Sequence, residues 1–337
     1  MMERRSVLML GGSGQAGADT AALLRRWYPT LPLTIAGRDL DRARRVADRL
    51  GAATAVRVDL ERGDLGRPAD ETYSAVVAAL WDERLHGLRY AQRRGLPYLS
   101  ISSGPDIAPE VVMGAQGAGA GPILLASHWC AGAVTLVVAH LAREFERVDA
   151  VRIGAVLDER DTGGPAGIAD LERWSAITSA GLVRRDGVFT WLPAADARVE
   201  VVASDGTAVP GAYIAILDVP SIALATDAPN VHFAFAVGTS TGSRRGGPAS
   251  LEVRVDIEGT APGGAPLRTG RYLTHAAGQR PLTALGMALG VERLLALRGD
   301  PVPPGIHTPE ALVDPAYAVE RMLEGGAVLT EAPGAAG

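Results

Sequence analysis

The first hundred residues alternate between short apolar runs and segments with helical patterning. The runs SVLML at 6–10, LTIAG at 33–37 and AVVAAL at 75–80 are apolar almost throughout. Strands that are apolar on both faces are typical of a parallel sheet covered by helices on both sides. Alternation of strands and helices with short connections indicates right-handed βαβ units, and therefore a doubly wound domain. The other predicted elements are strands at 55–60 and 98–102 and helices at about 16–27, 41–50 and 84–94.

A glycine-rich loop, GGSGQAG at 11–17, lies between the first predicted strand and the first predicted helix. In a dinucleotide-binding loop of this spacing, Gly12 allows a tight turn, Gly14 lets the backbone approach the pyrophosphate, and Gly17 lets helix and strand pack closely. The helix N-terminus favours the phosphates. A strand–helix turn without a ligand is the alternative. The placement favours a cofactor cradle made of Gly12, Ser13, Gly14, Gln15, Ala16 and Gly17.

The end of the second predicted strand indicates which dinucleotide the loop would hold. NAD-specific domains usually place an acidic residue there, which accepts a hydrogen bond from the ribose 2′-hydroxyl. Here the strand ends in IAGRD, with Gly37 followed by Arg38. A guanidinium can pair with a 2′-phosphate and stack on adenine, so Arg38 favours NADP. Asp39 keeps NAD possible, and a solvated Arg38 is the alternative.

Two further loops follow predicted strands at the same edge of this sheet. Asp59, followed by Leu60, ends the third strand and could either hold the adenine amino group or begin a turn. The loop after AVVAAL would run beside the nicotinamide ribose through Ala79, Leu80 and Trp81.

Composition excludes several chemistries. All 33 basic residues are arginine, so a Schiff-base lysine, a P-loop lysine and the Tyr-x-x-x-Lys relay of short-chain reductases are impossible. The formal net charge of −5, without a block of like charges, argues against nucleic acid and gives no reason to expect an anionic membrane partner. One cysteine, Cys130, leaves no intramolecular disulfide and no cysteine cluster for a metal. This usage fits a reducing compartment, and we expect a cytoplasmic protein.

One apolar stretch, PILLASHWCAGAVTLVVAHLA at 122–142, is long enough to be considered as a membrane span. It contains His128, His140 and a small-residue break at Ala131–Gly132. A buried strand followed by a buried helix is the better interpretation. The N-terminal apolar run is too short for the core of a signal peptide.

The order of several motifs resembles that of the saccharopine dehydrogenase-like reductases. GGSGQAG is followed by AGRDLDRARRVADRL and by Asp-Leu after the third strand. The stretch PPGIHTPEALVDPAYAVERMLEGGAVLTE is similar to the closing segment of that family, where G-x-x-T-P precedes a final helix and strand. The resemblance covers most of the chain and is weakest over 155–250. It implies a Rossmann domain at 1–130 and 281–337 and an inserted α+β domain at 131–280, which binds substrate and mediates homodimers.

The middle of the chain fits such an insertion, and its length of 337 residues favours two domains. From VDAVRIGAVLD at 148–158 onward, strands with alternating patterns are separated by Gly/Pro turns, which is typical of a mostly antiparallel sheet. They include RVEVVAS at 198–204 and AYIAILDV at 212–219. A helix is predicted at 169–183. The Gly/Pro loop at 158–169 would lie at the mouth between domains, and Trp174 and Trp191 would pack the second domain.

The segment LLASHWCAGA at 124–133 departs from the family, which often has Asp-Pro-Gly there, so the family's substrate contacts are not transferred. His128 could be the general acid, because imidazole titrates near neutral pH, or a hydrogen-bonded structural histidine. Cys130 could have a lowered pKa at a helix start, or be a small buried hydrophobe. Trp129 is expected to contact substrate.

Weaker candidates lie elsewhere. Ser102 and Ser103 could hydrogen-bond nicotinamide or substrate, or cap a turn. Asp158 and Asp161 could bind a substrate amine, or be solvated loop acids. Arg271 could clamp a carboxylate, or form a structural salt bridge.

The sequence therefore predicts an NADP-dependent reductase, without a metal, acting on a C=N or C=C bond of a small biosynthetic metabolite. A cyclic imine or an unsaturated carbonyl is the expected substrate class, because the acidic motifs of amino-acid-condensing members are missing. The alternative is a catalytically silent NAD(P)-binding sensor or scaffold.

Overall fold

The computed structural model describes residues 5–101, 106–116, 121–161, 163–177 and 179–333. The chain divides into two compact units. Unit 1 comprises Met1–Ser127 and Thr283–Val313, and unit 2 comprises His128–Leu282 and Asp314–Gly337.

A parallel sheet of seven strands forms the centre of unit 1. Its strands are β1 (Val7–Leu10), β2 (Leu33–Gly37), β3 (Ala53–Arg57), β4 (Ala75–Ala78), β5 (Tyr98–Ser100), β6 (Pro122–Leu125) and β15 (Gly305–His307). The strand order is β15-β6-β5-β4-β1-β2-β3. The order reverses between β1 and β4, which is the switch point of a Rossmann fold. The predicted doubly wound parallel sheet is confirmed.

Burial explains why these runs form strands. Every residue of β1, β2, β4 and β6 is buried, as a sheet covered on both faces requires. β3 is partly exposed because it is the last strand at its edge.

The helices of unit 1 are α1 (Gln15–Trp27), α2 (Leu40–Leu50), α3 (His86–Arg93), α4 (Ala108–Gln116), α9 (Arg280–Leu294, from Thr283 onward) and α10 (Pro309–Leu312).

The sequence pattern did not predict α4. In this helix Glu110 and Gly114 are buried, whereas Val111 and Val112 are exposed. The apolar residues therefore do not mark its buried face, so periodicity carries no helical signal there.

A mixed sheet of nine strands forms the centre of unit 2. Its strands are β7 (Arg147–Asp158), β8 (Gly181–Arg185), β9 (Val188–Leu192), β10 (Arg198–Val202), β11 (Ala208–Tyr213), β12 (Asn230–Gly238), β13 (Leu251–Thr260), β14 (Pro266–His275) and β16 (Ala327–Glu331). The main order is β10-β11-β12-β7-β13-β14-β16, and the β8–β9 hairpin joins it through β12. Only the β7–β12 pair is parallel among these pairs. The prediction of a second, mostly antiparallel sheet is confirmed.

The long apolar stretch at 122–142 is a strand followed by a buried helix. β6 covers its start, and α5 (Ala133–Leu141) is buried over most of its length and packs against α7 and α11. Within the described ranges, the model contains no helix with the length and apolarity needed to cross a membrane. The other helices of unit 2 are α6 (Gly164–Ile177), α7 (Asp218–Thr226), α8 (Thr241–Arg244) and α11 (Pro315–Glu324).

Three predicted boundaries in unit 2 are wrong. The helix expected at 169–183 is α6, which begins within the expected loop at 158–169 and leaves 181–183 to β8. The strand expected at 212–219 ends at Tyr213, and α7 begins at Asp218. In the second place the apolar residues 212–217 continue across the end of the strand, so the pattern gives no boundary there.

The β8–β9 hairpin was also missed. Asp186 and Gly187 join its strands with φ of 47° and 82°, which is the left-handed geometry of a two-residue type I′ turn. Asp-Gly between two apolar strands is a recognisable hairpin signal in the sequence.

The sequence-based partition placed all of 281–337 in the first domain. Residues 283–313 lie in unit 1, where β15 pairs with β6. Residues 314–337 belong to unit 2, because β16 pairs with β14 along five residues of that sheet.

Candidate functional site

The glycine loop forms a tight turn between β1 and α1. The backbone N–H of Gly12 donates to the Met9 carbonyl at 2.9 Å, and that of Gly14 donates to the Gly11 carbonyl at 2.8 Å. Gly11 has φ of 73°, a left-handed conformation that glycine adopts without strain. The turn brings the chain directly from the end of β1 into the first turn of α1.

Two of the predicted glycines are required by close packing. A β-carbon at Gly12 would lie 2.8 Å from the Met9 carbonyl oxygen, and one at Gly17 would lie 2.5 Å from that of Gly11. At Gly14 the same atom would lie 3.1 Å from the Gly11 oxygen. The loop therefore has no room for larger residues at Gly12 and Gly17, as a dinucleotide cradle requires.

The N-terminus of α1 is open to an anion. Gly14 is its N-cap, without a side-chain cap, and the first turn contains no acidic residue. Among the described residues, none accepts a hydrogen bond from the N–H groups of residues 15–17. These donors and the positive end of the helix dipole would stabilise a phosphate placed before them.

Beside this N-terminus lies a cleft of about 310 Å³ between α1 and α2. It is rich in arginine: Arg42, Arg45 and Arg49 come from α2. Asp19 on α1 is the acidic residue in the lining. The complete lining is Ser13, Gly14, Gln15, Ala18, Asp19, Arg42, Arg45, Val46 and Arg49.

Ser13 and Arg38 lie where the cofactor ribose is expected. A β-carbon at Gly37 would lie 3.1 Å from the Ser13 hydroxyl, so this serine contacts the end of β2. The guanidinium of Arg38 is exposed, and it has no hydrogen-bond or ion-pair partner within the described ranges. By contrast, Arg44 on the outer face of α2 pairs with Asp41 at 3.1 Å.

Asp39 is engaged as the N-cap of α2. Its Oδ1 accepts a hydrogen bond from the Arg42 backbone N–H at 3.0 Å. That bond, with a smaller contribution from the charge of Arg45, holds the pKa of Asp39 below its usual range. An exposed capping carboxylate explains this residue without a ribose contact.

Asp59 begins a turn, as one of its two predicted roles required. Its Oδ1 accepts from the Glu61 N–H at 3.0 Å, and Leu60 lies within that turn.

The loop after β4 lies beside the glycine turn: the Ala79 N–H donates to the Leu10 carbonyl at 2.9 Å. A β-carbon at Gly11 would lie 2.9 Å from both the Ala79 oxygen and the Leu80 Cδ2. Ala79 and Leu80 therefore adjoin the cradle.

In unit 2, His128 is buried and paired. Its Nε2 lies 2.7 Å from the Ser221 hydroxyl on α7, and burial lowers its pKa to about 3. The imidazole is therefore neutral at neutral pH. This arrangement favours the structural role over that of an imidazolium acid.

Trp129 and Cys130 begin a strained turn before α5. The Trp129 N–H donates to the buried Asp218 carboxylate at 2.8 Å, and its ring lies edge-on to Phe235. Cys130, Ala131 and Gly132 all have positive φ, of 50°, 53° and 89°. Three successive left-handed residues prevent α5 from extending toward its N-terminus. Cys130 is buried.

Asp158 is a buried carboxylate that accepts hydrogen bonds from the start of α8 and from the Arg160 backbone N–H. It accepts from the N–H and hydroxyl of Ser240, at 2.8 Å and 2.5 Å, and from the Ser243 hydroxyl. Burial alone would raise its pKa, but these hydrogen bonds outweigh it and hold the pKa well below the usual range. Asp158 is therefore ionised and has no proton to donate at neutral pH.

Asp161 has the opposite electrostatic environment. Partial burial raises the pKa of its carboxyl, although the Gln279 N–H donates to Oδ2 at 2.7 Å. It lies against Gly278, where a β-carbon would meet its carboxylate at 2.3 Å.

The other predicted residues are less informative. The guanidinium of Arg271 lies 3.6 Å from the carboxylate of Glu331 on β16. This ion pair is the structural salt bridge that was one of the two roles predicted for Arg271. Trp191 is exposed, so the prediction that it packs the second domain is wrong. Ser102, Ser103 and the side chain of Trp174 lie outside the described residues. Among the described residues, no group of three His, Cys, Asp or Glu side chains could hold a metal.

The sequence reasoning missed the three arginines of the cleft, Arg42, Arg45 and Arg49. They are spaced three and four residues apart in LDRARRVADRL, which places them on one face of α2. The buried Asp218, which accepts from both the Trp129 N–H and the Thr135 hydroxyl, was also missed. Nothing in its local sequence distinguishes it from an exposed acid.

No protein-family model matches the sequence, and no curated protein matches it significantly. Among solved structures, the chain is similar to apo, histidine-tagged saccharopine dehydrogenase (L-Glu forming) from Saccharomyces cerevisiae. The match covers 97% of this chain and 99% of that one, with a TM-score of 0.66 and 12% sequence identity. A myo-inositol dehydrogenase from Corynebacterium glutamicum matches over 97% and 99%, with a TM-score of 0.49 and 16% identity. GenD2 from gentamicin A biosynthesis, in complex with NAD, matches over 98% of both chains, with a TM-score of 0.47 and 17% identity. The first match confirms, at the level of the fold, the resemblance seen in the sequence.

Proposed function

Because the chain has the fold of saccharopine dehydrogenase, we propose that it is an NADP-dependent oxidoreductase. The observation that carries this proposal is the arginine-lined cleft beside the open N-terminus of α1. The bound nicotinamide would supply or accept the hydride.

The residues of the cradle fit both the pyrophosphate and the 2′-phosphate of such a cofactor. The N–H groups of residues 15–17 would bind the pyrophosphate, which approaches closely because Gly12 and Gly17 keep the turn compact. Arg38, Arg42 and the Ser13 hydroxyl would bind the 2′-phosphate, since they surround the end of β2 and the start of α2. Gly37, which stands where an NAD-specific acid is expected, leaves room for that phosphate.

The substrate of the proposed reaction is a small imine or unsaturated carbonyl. Of the four predicted proton donors, His128 is held neutral by burial and Asp158 is held ionised by its hydrogen bonds. Cys130 and Ser103 therefore remain the proposed donors, and Trp129 the proposed substrate contact.

The test is a comparison of NADPH and NADH in binding and turnover. We expect NADPH to bind more tightly in a fluorescence titration, and its absorbance to decrease with at least one member of a panel of cyclic imines and enones. Tighter binding of NADH would overturn the cofactor assignment. Tight NADPH binding without turnover on any imine or enone would overturn the reaction class.

A second candidate function is a cofactor-binding sensor or scaffold without reductase activity. The observation that favours it is that the Nε2 of His128 is paired with the Ser221 hydroxyl and that the Asp158 carboxylate accepts hydrogen bonds from Ser240. Binding of NADPH that changes thermal stability, with no hydride transfer to any substrate, is the result that would support this function.

We also propose that the protein is a homodimer, as the resemblance implies. Its partner in the reaction is a small molecule, and a cytoplasmic location remains a prediction from the single cysteine.

A further inference from the structure

The β8–β9 hairpin ends in an uncovered sheet edge. Among the described strands, β9 pairs only with β8, so its other edge has no neighbour. Three large apolar side chains of β9 are exposed: Val188 to 64%, Phe189 to 46% and Trp191 to 59%. We call residues 188–192 the β9 edge.

The hairpin turn fixes which backbone groups point outward. In a two-residue type I′ hairpin, the residues flanking the turn, Arg185 and Val188, form a hydrogen-bonded pair. Hydrogen-bonded and non-hydrogen-bonded pairs then alternate, so Thr190 and Leu192 point their backbone groups toward β8. The N–H and C=O groups of Phe189 and Trp191 therefore point away from β8, along the uncovered edge.

The β9 edge lacks the features that normally prevent strand pairing. Edge strands are usually protected by a charged residue, a proline or a bulge. The sequence VFTWL contains no charge and no proline, and its register with β8 is continuous over five residues. An exposed apolar edge of this kind favours association with another strand.

We propose that a second copy of this chain pairs with the β9 edge in antiparallel orientation, with the two-fold axis at Thr190. The strand is self-complementary about that residue. Phe189 would lie opposite the partner's Trp191, and these are the residues whose N–H and C=O groups point outward. Each pair would exchange two backbone hydrogen bonds and bring two aromatic rings together on one face.

The side chains of β8 would extend the same face. Leu182 lies opposite Trp191 in the hairpin, and the Arg184 guanidinium lies 5.6 Å from the centre of the Phe189 ring. Arg184 is held there by the carbonyls of Ala223 and Ala228. The dimer would therefore have a four-stranded face on which each aromatic pair is flanked by a leucine and an arginine.

The area of the β9 edge predicts a weak dimer. Half-exposed aromatic side chains, together with Val188, would bury roughly 300 Å² per copy. A stable interface buries about 800 Å² per partner. We therefore expect a weak association that depends strongly on protein concentration.

Sedimentation velocity over a range of concentrations tests the surface. The double variant F189E/W191E places like charges opposite each other in the proposed register and should be monomeric. F189E/W191K places opposite charges there and should dimerise more strongly than F189E/W191E, although both lose the aromatic rings. Leu224→Glu, at an exposed apolar residue on α7, is the matched control and should leave the dimer unchanged.

Cysteine crosslinking tests the axis. Thr190 would lie opposite the partner's Thr190 at a non-hydrogen-bonded position, where α-carbons are about 4.5 Å apart and a disulfide can form. Thr190→Cys should give a disulfide-linked dimer on mild oxidation, whereas Val188→Cys, which is more exposed but off the axis, should give much less. The native Cys130 is buried. A protein that stays monomeric at about 100 µM would overturn the proposal. If F189E/W191E still forms dimers, the β9 edge is not the dimer surface, although the prediction of a homodimer would still hold.

Discussion

The Nε2 of His128 lies 2.7 Å from the Oγ of Ser221, and both side chains are buried. Burial lowers the pKa of His128 to about 3 in the folded protein. Below about pH 6.5 the unfolded chain therefore binds a proton at this residue, whereas the folded protein stays neutral there until the pH approaches 3. The stability that the neutral imidazole contributes is complete above pH 6.5 and is lost progressively as pH falls toward 3.

We therefore expect His128→Gln to reduce the acid sensitivity of the fold. Between pH 7.5 and 5, the wild-type protein should lose about 2 kcal/mol more in free energy of unfolding than the variant. Urea unfolding at the two pH values measures this difference. Under the proposed function, the rate of hydride transfer should change less than about tenfold, whereas loss of a general acid would reduce it by about 100-fold or more.

The contact between Gly17 and Gly11 predicts a sensitive position in the cradle. A methyl group at Gly17 would lie 2.5 Å from the Gly11 carbonyl oxygen, so the turn must shift to accept it. We expect Gly17→Ala to reduce the free energy of unfolding by about 1–3 kcal/mol and to weaken NADPH binding. Gly63→Ala is the control, because a β-carbon there would meet only the end of Arg93 at 4.0 Å. Equal effects of the two substitutions would contradict this role for Gly17.

Arg38→Ala tests the assignment of the 2′-phosphate. Loss of a charge-assisted hydrogen bond should weaken NADPH binding by about 10–100-fold and leave NADH binding nearly unchanged. Arg44→Ala removes an exposed arginine that pairs with Asp41 on the same helix, and it should affect neither cofactor. An equal loss of affinity for NADPH and NADH in Arg38→Ala would refute the assignment.

Asp158 should matter for stability and little for the reaction. Its hydrogen bonds to Ser240 and Ser243 favour the ionised form, so they stabilise the fold above the unfolded pKa of about 3.9 and are lost as pH falls below it. We expect Asp158→Asn to reduce the free energy of unfolding at pH 7 by about 1–3 kcal/mol. Asp149→Asn, at an exposed carboxylate paired with Arg147, should cost less than about 1 kcal/mol. Unfolding by urea compares the two, and a large fall in turnover for Asp158→Asn alone would reassign it to the chemistry.

The sequence predicts the first sheet well because its strands are buried on both faces. An unbroken apolar run such as VLML is stable mainly where both faces of the strand are buried. The glycine-rich loop that follows it also indicates a tight turn into a helix. The same logic identified the apolar stretch at 122–142 as a strand and a core helix.

The electrostatic states at the candidate site could not be predicted in this way. The neutral state of His128 depends on burial beside Ser221, which is 93 residues away in the sequence. The ionised state of Asp158 depends on Ser240 and Ser243, which are more than 80 residues away. Trp191 was expected to pack the second domain, yet it is exposed on the edge strand of a hairpin.

Neither sheet can be completed early during synthesis of the chain. β15 (residues 305–307) closes the first sheet against β6, and β16 (residues 327–331) closes the second against β14. Each unit therefore waits on a segment made after most residues of both units have been synthesised. Until β16 has emerged, a nascent chain exposes the unpaired side of β14, which is a risk for aggregation.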